Sequence, residues 1–361
     1  MARQPAAPAA RRDTLDRVAG EALSMRHTIS ILAGLLVLQL ALAGLLSIRT
    51  DPLRGTAPGL PLLPGPVAAA DHVVIESKSA PGEAPETTRV ELTRHDKVWT
   101  IDNYFNAPAT ASQVDTMLGR IAGLKRGLPV ATTPAALPRF RVADEDYSRR
   151  LTLAQAGKSL GTVYFGTSAG AHSVDARSSE DRAVYSVDYA TYEIPVLPGD
   201  WFDGGLLGRR LEDLHAIDID TADHHPLRLE RLPGKETGKD AGKDAAPALW
   251  QGNPLPPGQT VEATHAEDLA RALTGIHVDA ILGTDAKPEW QQTHPLITWT
   301  LSGADQHTET WTLSKPDGNV DLRVLKSSAH PWYFSISSTA ATSLLTASGR
   351  AQLLTAAKAA H

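Results

Sequence analysis

The sequence predicts an α+β protein: two tandem repeats, each a mainly antiparallel sheet with a covering helix, after one N-terminal transmembrane helix. Three observations point there. An uncharged apolar run lies near the N-terminus. Short stretches of alternating apolar and polar residues, separated by turn residues, come after it. The same order of elements then recurs in the second half.

The apolar run is "TISILAGLLVLQLALAGLLSI", residues 28–48, with Gln39 its one strongly polar side chain. As a helix it matches a hydrocarbon core of roughly 30 Å. Arg11, Arg12, Arg17 and Arg26 precede it, against Arg49 and Arg54 after it. This excess assigns residues 1–27 to a cytoplasmic tail and exports the rest of the chain. A cleavable signal peptide is the alternative, with Ala68-Ala69-Ala70 as its site, but the run is long for that role and the site distant. Residues 49–71, rich in Pro, Gly and Ala, read as an extended spacer.

The repeats are expected at 72–210 and 211–361. In the first, "TRVELTRHDKVWTID" alternates towards Trp99, and Val114, Met117, Leu118, Ile121 and Leu124 then recur at helical spacing. In the second, "PLRLERLPG" and Trp250 precede a stripe of Leu269, Ala272, Leu273 and Ile276, so that Trp250 matches Trp99 and Leu273 matches Leu118. Residues 151–177 lie without a gap on 297–323, both ending in Val-Asp-x-Arg (Val174, Asp175, Arg177; Val320, Asp321, Arg323), and "AVYSVD" pairs with "WYFSIS". Each unit reads as three strands, a helix, three or four strands and a helix. The second copy carries an insertion, residues 233–247, whose Gly-Lys-acid composition predicts a flexible loop. The Ala/Leu-rich end, "TAATSLLTASGRAQLLTAAKAA", predicts one C-terminal helix or two short ones.

Composition restricts the chemistry. The chain has 361 residues, 42% of them hydrophobic, and a net charge of −6 from 35 basic and 41 acidic residues. Mild acidity argues against a general nucleic-acid binder. The chain has no cysteine, which excludes disulfides, thiolate nucleophiles and Cys-ligated metals. Thirteen His are scattered without H-E-x-x-H, and the adjacent His224-His225 do not converge on one ion. No residue is assigned to a cofactor or a metal.

One stretch does spell a catalytic pattern. Gly166-Thr-Ser168-Ala-Gly170 is G-x-S-x-G, the elbow that presents a serine nucleophile between a strand and a helix. The stretch after Gly170 lacks a helical stripe, and the second copy has Pro316-Asp317-Gly318 in the same place. Ser168 therefore reads as the tip of a hairpin, with its glycines at positive φ. In "LPGDWFDGGLLGRR", Asp200, Trp201, Phe202 and Asp203 form either an aromatic docking surface or a plug in the seam between repeats, and the plug is preferred.

The order strand, Trp99, helix through Val114 and Leu118, strand through Tyr185 and Val187, then Asp200, Trp201, Asp203 and Leu207 resembles the bacterial family catalogued as domain of unknown function 4340. The resemblance covers most of residues 72–280, and the anchor at 28–48 agrees with the family's usual architecture. The Gly-Lys insertion and the Ala-rich end depart from the pattern. The resemblance implies a single-pass protein of the bacterial inner membrane, its bulk periplasmic, serving as a non-catalytic accessory of an envelope or ABC-type transport complex. An exported glycan-, lipid- or peptide-binding domain with a cleft between the repeats is the alternative. A serine hydrolase using Ser168 is the third reading.

Overall fold

The computed structural model describes residues 33–42, 59–80, 82–84, 86–232, 249–303, 307–318 and 321–357. The chain divides into two compact units, Met1–Leu60 and Pro61–His361. In the first unit, residues 33–42 form helix α1, with every side chain exposed. The rest of the expected anchor and all of tail 1–27 lie outside the described residues. Among the described residues no helix is long and apolar enough to cross a membrane. The insertion 233–247 also lies outside them.

The second unit contains two large sheets. In the first, β1 (His72–Lys78), β2 (Thr87–His95), β3 (Val98–Ile101) and β4 (Ala107–Pro108) precede helix α2 (Ala111–Gly123). After the helix come β5 (Pro129–Ala131), β6 (Arg149–Gln155), β7 (Lys158–Gly170), β8 (Ser173–Ser178) and β9 (Val184–Val187). The second sheet begins with β10 (Leu214–Thr221), β11 (Leu227–Arg231) and β12 (Trp250–Asn253); β13 (Gln259–Val261) then leads into α3 (Ala263–Thr274). It continues with β14 (Ala280–Gly283), β15 (Ile297–Gly303), β16 (Thr308–Ser314), β17 (Arg323–Ser327) and β18 (Tyr333–Ile336). Two short helices, α4 (Ser338–Ala347) and α5 (Arg350–Leu353), and β19 (Leu354–Ala356) complete the described chain, with β19 pairing back onto β13.

The spatial orders are β4-β3-β2-β1-β6-β7-β8-β9-β5 and β12-β11-β10-β15-β16-β17-β18-β14. Apart from β4 they coincide element for element, with antiparallel pairing throughout. The duplicated order is therefore a property of the structure. Each copy has one strand more after its helix than the four expected at most. These additional strands, β5 and β14, are short outermost strands without alternation, and β5 begins at Pro129, which suits an edge. The trailing helices occur in the second copy alone, where residues 188–210 of the first form 3₁₀ turns instead.

The register of the duplication differs from the sequence alignment. Each copy places a threonine pair across its central hairpin, Thr152 with Thr162 and Thr300 with Thr310, each with hydroxyls 3.3 Å apart. Thr152 thus corresponds to Thr300, two residues beyond the ungapped alignment. Further on, Ala176 and Tyr185 pair as Leu325 and Phe334 do, which places Arg177 on Lys326. The shared Val-Asp-x-Arg is a coincidence of spelling. At the threonine pair the slip is two residues, which keeps the same residues facing inward, so alternation alone cannot detect it there.

The helices shift likewise. α2 buries Val114, Met117, Leu118 and Ile121; α3 buries Ala266, Leu269, Ala270 and Leu273 among others, so Leu273 matches Ile121 and Leu118 matches Ala270. A displacement of three positions preserves a helical stripe. The tryptophans settle the register. The Trp99 indole N–H donates to Asp115 Oδ1 at 3.2 Å, and that of Trp250 to Glu267 Oε2 at 3.0 Å. Each bond joins an outer strand to its own helix.

One continuous apolar cluster runs from Leu62 to Leu353 through both copies. The end of the expected spacer belongs to it. Leu62, Leu63, Val67 and Ala70 are buried, and the Leu62 N–H donates to the Leu124 carbonyl at 2.8 Å. Leu62 and Leu63 in "GLPLLPG" make residues 62–70 a packed strap, while Leu60 is exposed.

Candidate functional site

The segment singled out around Trp201 lies where the copies meet. Residues Pro198–Trp201 form a 3₁₀ turn, as Pro at its first position favours. Trp201 is fully buried, its indole N–H donating to the Pro195 carbonyl at 3.2 Å. Its own carbonyl accepts from the Thr110 N–H at 2.8 Å, and the Asp203 N–H donates to the Pro108 carbonyl at 3.0 Å. These bonds attach the segment to the first copy. The Gly204 carbonyl accepts from the Val278 N–H, and the Arg209 N–H donates to the Thr274 carbonyl, each at 2.9 Å, attaching it to the second. A Cβ at Gly204 would stand 2.3 Å from His277 Nε2 and 2.5 Å from the Val278 carbonyl oxygen, so this crossing requires glycine.

Phe202 fills the space between the copies. Its ring meets Tyr104 of the first edge-on at 6.2 Å and stacks with Phe334 of the second at 6.4 Å. The Tyr104 hydroxyl accepts from the Ile281 N–H at 2.9 Å and lies 3.3 Å from the Ile281 carbonyl, to which it donates. The Trp332 indole donates to the Phe105 carbonyl at 3.2 Å. Asp200 points to solvent, and Asp203 caps its own turn, accepting from the Gly205 N–H at 3.0 Å. Phe202 thus lies between the copies, Trp201 is buried beside it with its hydrogen bonds to Pro195 and Thr110 of the first copy, Asp200 is exposed and Asp203 half-buried. Tyr104, Trp332 and Phe334 were not singled out from the sequence, where they look like ordinary strand and loop aromatics.

Past the seam lies a buried charge pair that sequence reading also missed. The Arg209 guanidinium engages Glu309 of β16, which also accepts from the Trp311 indole at 2.6 Å and from the Ser327 hydroxyl. Burial works against the charged form of Glu309, but donation from Ser327, Trp311 and Arg209 outweighs it and holds the carboxyl below its ordinary range. A charge surrounded by donors in this way locks packing more than it invites chemistry.

Ser168 lies within β7, paired with Val174 of β8, and a strand comes next where an elbow needs a helix. Its hydroxyl donates to the Gly170 carbonyl at 2.6 Å and approaches that of Ser173 at 3.5 Å. The glycines differ from expectation, since neither Gly166 nor Gly170 has a positive φ. Gly166 is there for closeness: a Cβ would lie 1.8 Å from the Phe140 carbonyl oxygen. In the second copy the same connection is a turn with Gly318 at φ +72°.

Among the described residues no three His, Asp or Glu come together in a way that could hold a metal ion. An open groove lies away from the seam. It encloses about 570 Å³ between α3 and the α4–α5 pair, lined by His265, Asp268, Thr339, Thr342, Thr346 and Gln352 among others. The His265 ring there is held 2.8 Å from the Gln352 carbonyl.

Comparison with curated proteins and with solved structures returned no match. A family model does match, over residues 99–295, which takes in Trp99, α2, most of the first sheet, the Trp201 segment and the start of the second sheet with α3. The match spans more than half of the 361 residues, from one tryptophan–helix anchor through its repeat. The chain belongs to the family described as Domain of unknown function (DUF4340).

Proposed function

We propose that the chain is a membrane-anchored, extracytoplasmic accessory protein that works by binding, without catalysis, to an envelope or ABC-type transport complex. The single observation that carries the reading is the filled seam. Phe202, Tyr104 and Phe334 occupy the place where a two-lobed protein would hold a small molecule, so recognition falls to the outer surfaces. Two features support it further. The described part of the apolar run, residues 33–42, is helical with all its side chains uncovered, as a lipid-facing segment would be. The flanking arginines favour export of the repeats. The inner membrane of a bacterium, with residues 1–27 cytoplasmic, is the location this reading requires.

The test is affinity purification of the full-length chain from membranes opened in mild detergent. A stoichiometric envelope partner is expected, and recovery of the chain alone would overturn the reading. A reporter fused after His361 should be active only on the exported side. Binding of a glycan, lipid or peptide is the second reading. The groove between α3 and α4–α5 favours it over the seam, because its lining combines aliphatic surface with hydroxyls, one imidazole and one carboxylate, as suits an amphiphilic ligand.

A further inference from the structure

The outer face of the first sheet neutralises its own charges. Glu76 of β1 stands opposite Arg89 of β2 and Arg150 of β6. Its carboxylate takes Arg89 Nη1 at 3.1 Å and Arg150 Nη2 at 2.6 Å, and its side chain is 11% exposed.

The second sheet keeps the carboxylate and loses both arginines. Ile75 pairs with Val90 and Leu151, as Ile219 pairs with Leu227 and Trp299. The residue after Ile219, Asp220, therefore occupies the Glu76 position. Pro226 stands where Arg89 would, and Thr298 where Arg150 would. Two long side chains have become short ones, and a recess of about 330 Å³ opens in the sheet face, walled by Asp218, Asp220, Arg228, Asn253, Thr298 and Thr300 among others. Asp218 is engaged by Arg228 at 2.6 Å. Asp220 is 51% exposed, and its ionic neighbour among the described residues is the His224 ring at 3.8 Å.

We propose that this recess receives an arginine side chain from an extended segment of the partner protein, whose guanidinium takes up the role that Arg89 and Arg150 play in the first copy. The inference deepens the accessory reading and rests on it. The molecule itself shows which cation the position accepts. A planar guanidinium can bridge the Asp220 carboxylate while its remaining N–H groups reach the hydroxyls of Thr298, directly opposite, and Thr300 beside it. An ammonium brings a point charge without that fork. The exposed Pro226 ring at the edge of the recess suits the aliphatic stem of arginine.

The probe is a short flexible peptide carrying two arginines, compared with its two-lysine counterpart, each titrated by fluorescence anisotropy against the full-length chain in detergent. The arginine peptide should bind saturably, and the lysine peptide about tenfold more weakly. Asp220→Asn should lose about tenfold. Thr298→Arg, which supplies the recess with its own guanidinium, should lose at least as much. Asp223→Asn, in the neighbouring exposed turn, controls for net charge and should bind like the parent. Near-ultraviolet circular dichroism verifies that each variant is folded. Equal affinity for parent and Asp220→Asn, equal affinity for the two peptides, or no binding to the parent would each overturn the proposal. Purification separates it from the broader reading. A partner recovered equally with parent and Asp220→Asn overturns the recess and leaves the accessory role. No partner, with the peptide response intact, does the reverse.

Discussion

The two copies agree inside and differ outside. Both insert an indole N–H into a helix carboxylate, both bury the same four helical positions, and both pair threonines across the central hairpin. On the outer face one copy closes a carboxylate between two arginines, whereas the other leaves it open to a neighbour. Core volume and buried donors restrict the inner positions, because one methylene or one unpaired N–H is felt there. The solvated face bears no such restriction. After a duplication it is the surface on which one copy can stay structural while the other acquires a partner.

The comparison can be broken most forcefully at the seam. Trp201→Ala should cost about 4 kcal/mol, since a fully buried indole leaves a cavity. It should also split urea unfolding, followed by circular dichroism and tryptophan fluorescence, into two steps, one per copy. A single unchanged transition would mean that the copies hold together without the linker.

Next come Glu309 and Glu76, two of the carboxylates that bind arginine. Glu309→Gln should cost about 3 kcal/mol because it strands a partly buried Arg209. Glu76→Gln, whose arginines are half exposed, should cost about 1 kcal/mol. Glu309 titrates below its ordinary range, so its contribution is present above the ordinary carboxylate value and lost as the pH falls through the depressed one. Acid unfolding of the Gln variant should be flatter in that window.

The indole anchors sharpen the comparison further. Glu267 also engages Arg231 at 3.3 Å, whereas Asp115 lies at the surface. Glu267→Ala should cost about 2 kcal/mol and Asp115→Ala about 1 kcal/mol, read from the shift in denaturation midpoint.

The smallest expected effect is a gain. Burial pushes the Asp175 carboxyl up, against a single hydrogen bond from the Thr167 hydroxyl at 3.0 Å. A raised carboxyl stabilises the fold at low pH and loses that contribution as the pH rises through its folded value. Asp175→Asn should therefore add up to about 1 kcal/mol at neutral pH, and the gain should vanish toward about pH 4.

Much of this architecture is legible in the residues. Alternation at Val90 and Leu92, the stripe at Val114 to Ile121 and the recurrence after Trp250 suffice for two like units. Register is not legible, because both periodicities are forgiving. Two residues along a strand, or three along a helix, return a side chain to the same face, so Thr152 falls on Thr298 instead of Thr300, and Leu118 on Leu273 instead of Ala270. Only a bond with two distinct ends removes the degeneracy, as Trp99 with Asp115 does. The seam shows the same limit. Trp201 and Phe202 are conspicuous between glycines, but Tyr104 in "DNYFN" and Arg209 in "LGRR" acquire their roles from residues about a hundred or more positions away. The Arg-for-Thr exchange at Thr298 becomes visible only once the strands have been paired.

The Tyr104 hydroxyl on Ile281 has a further consequence. It engages both backbone groups of a residue in β14, the outermost strand of the second sheet. Such a margin is where another chain could add itself, and units joined front to back could in principle continue into a fibre. Here a phenol from the first copy occupies that margin at Ile281.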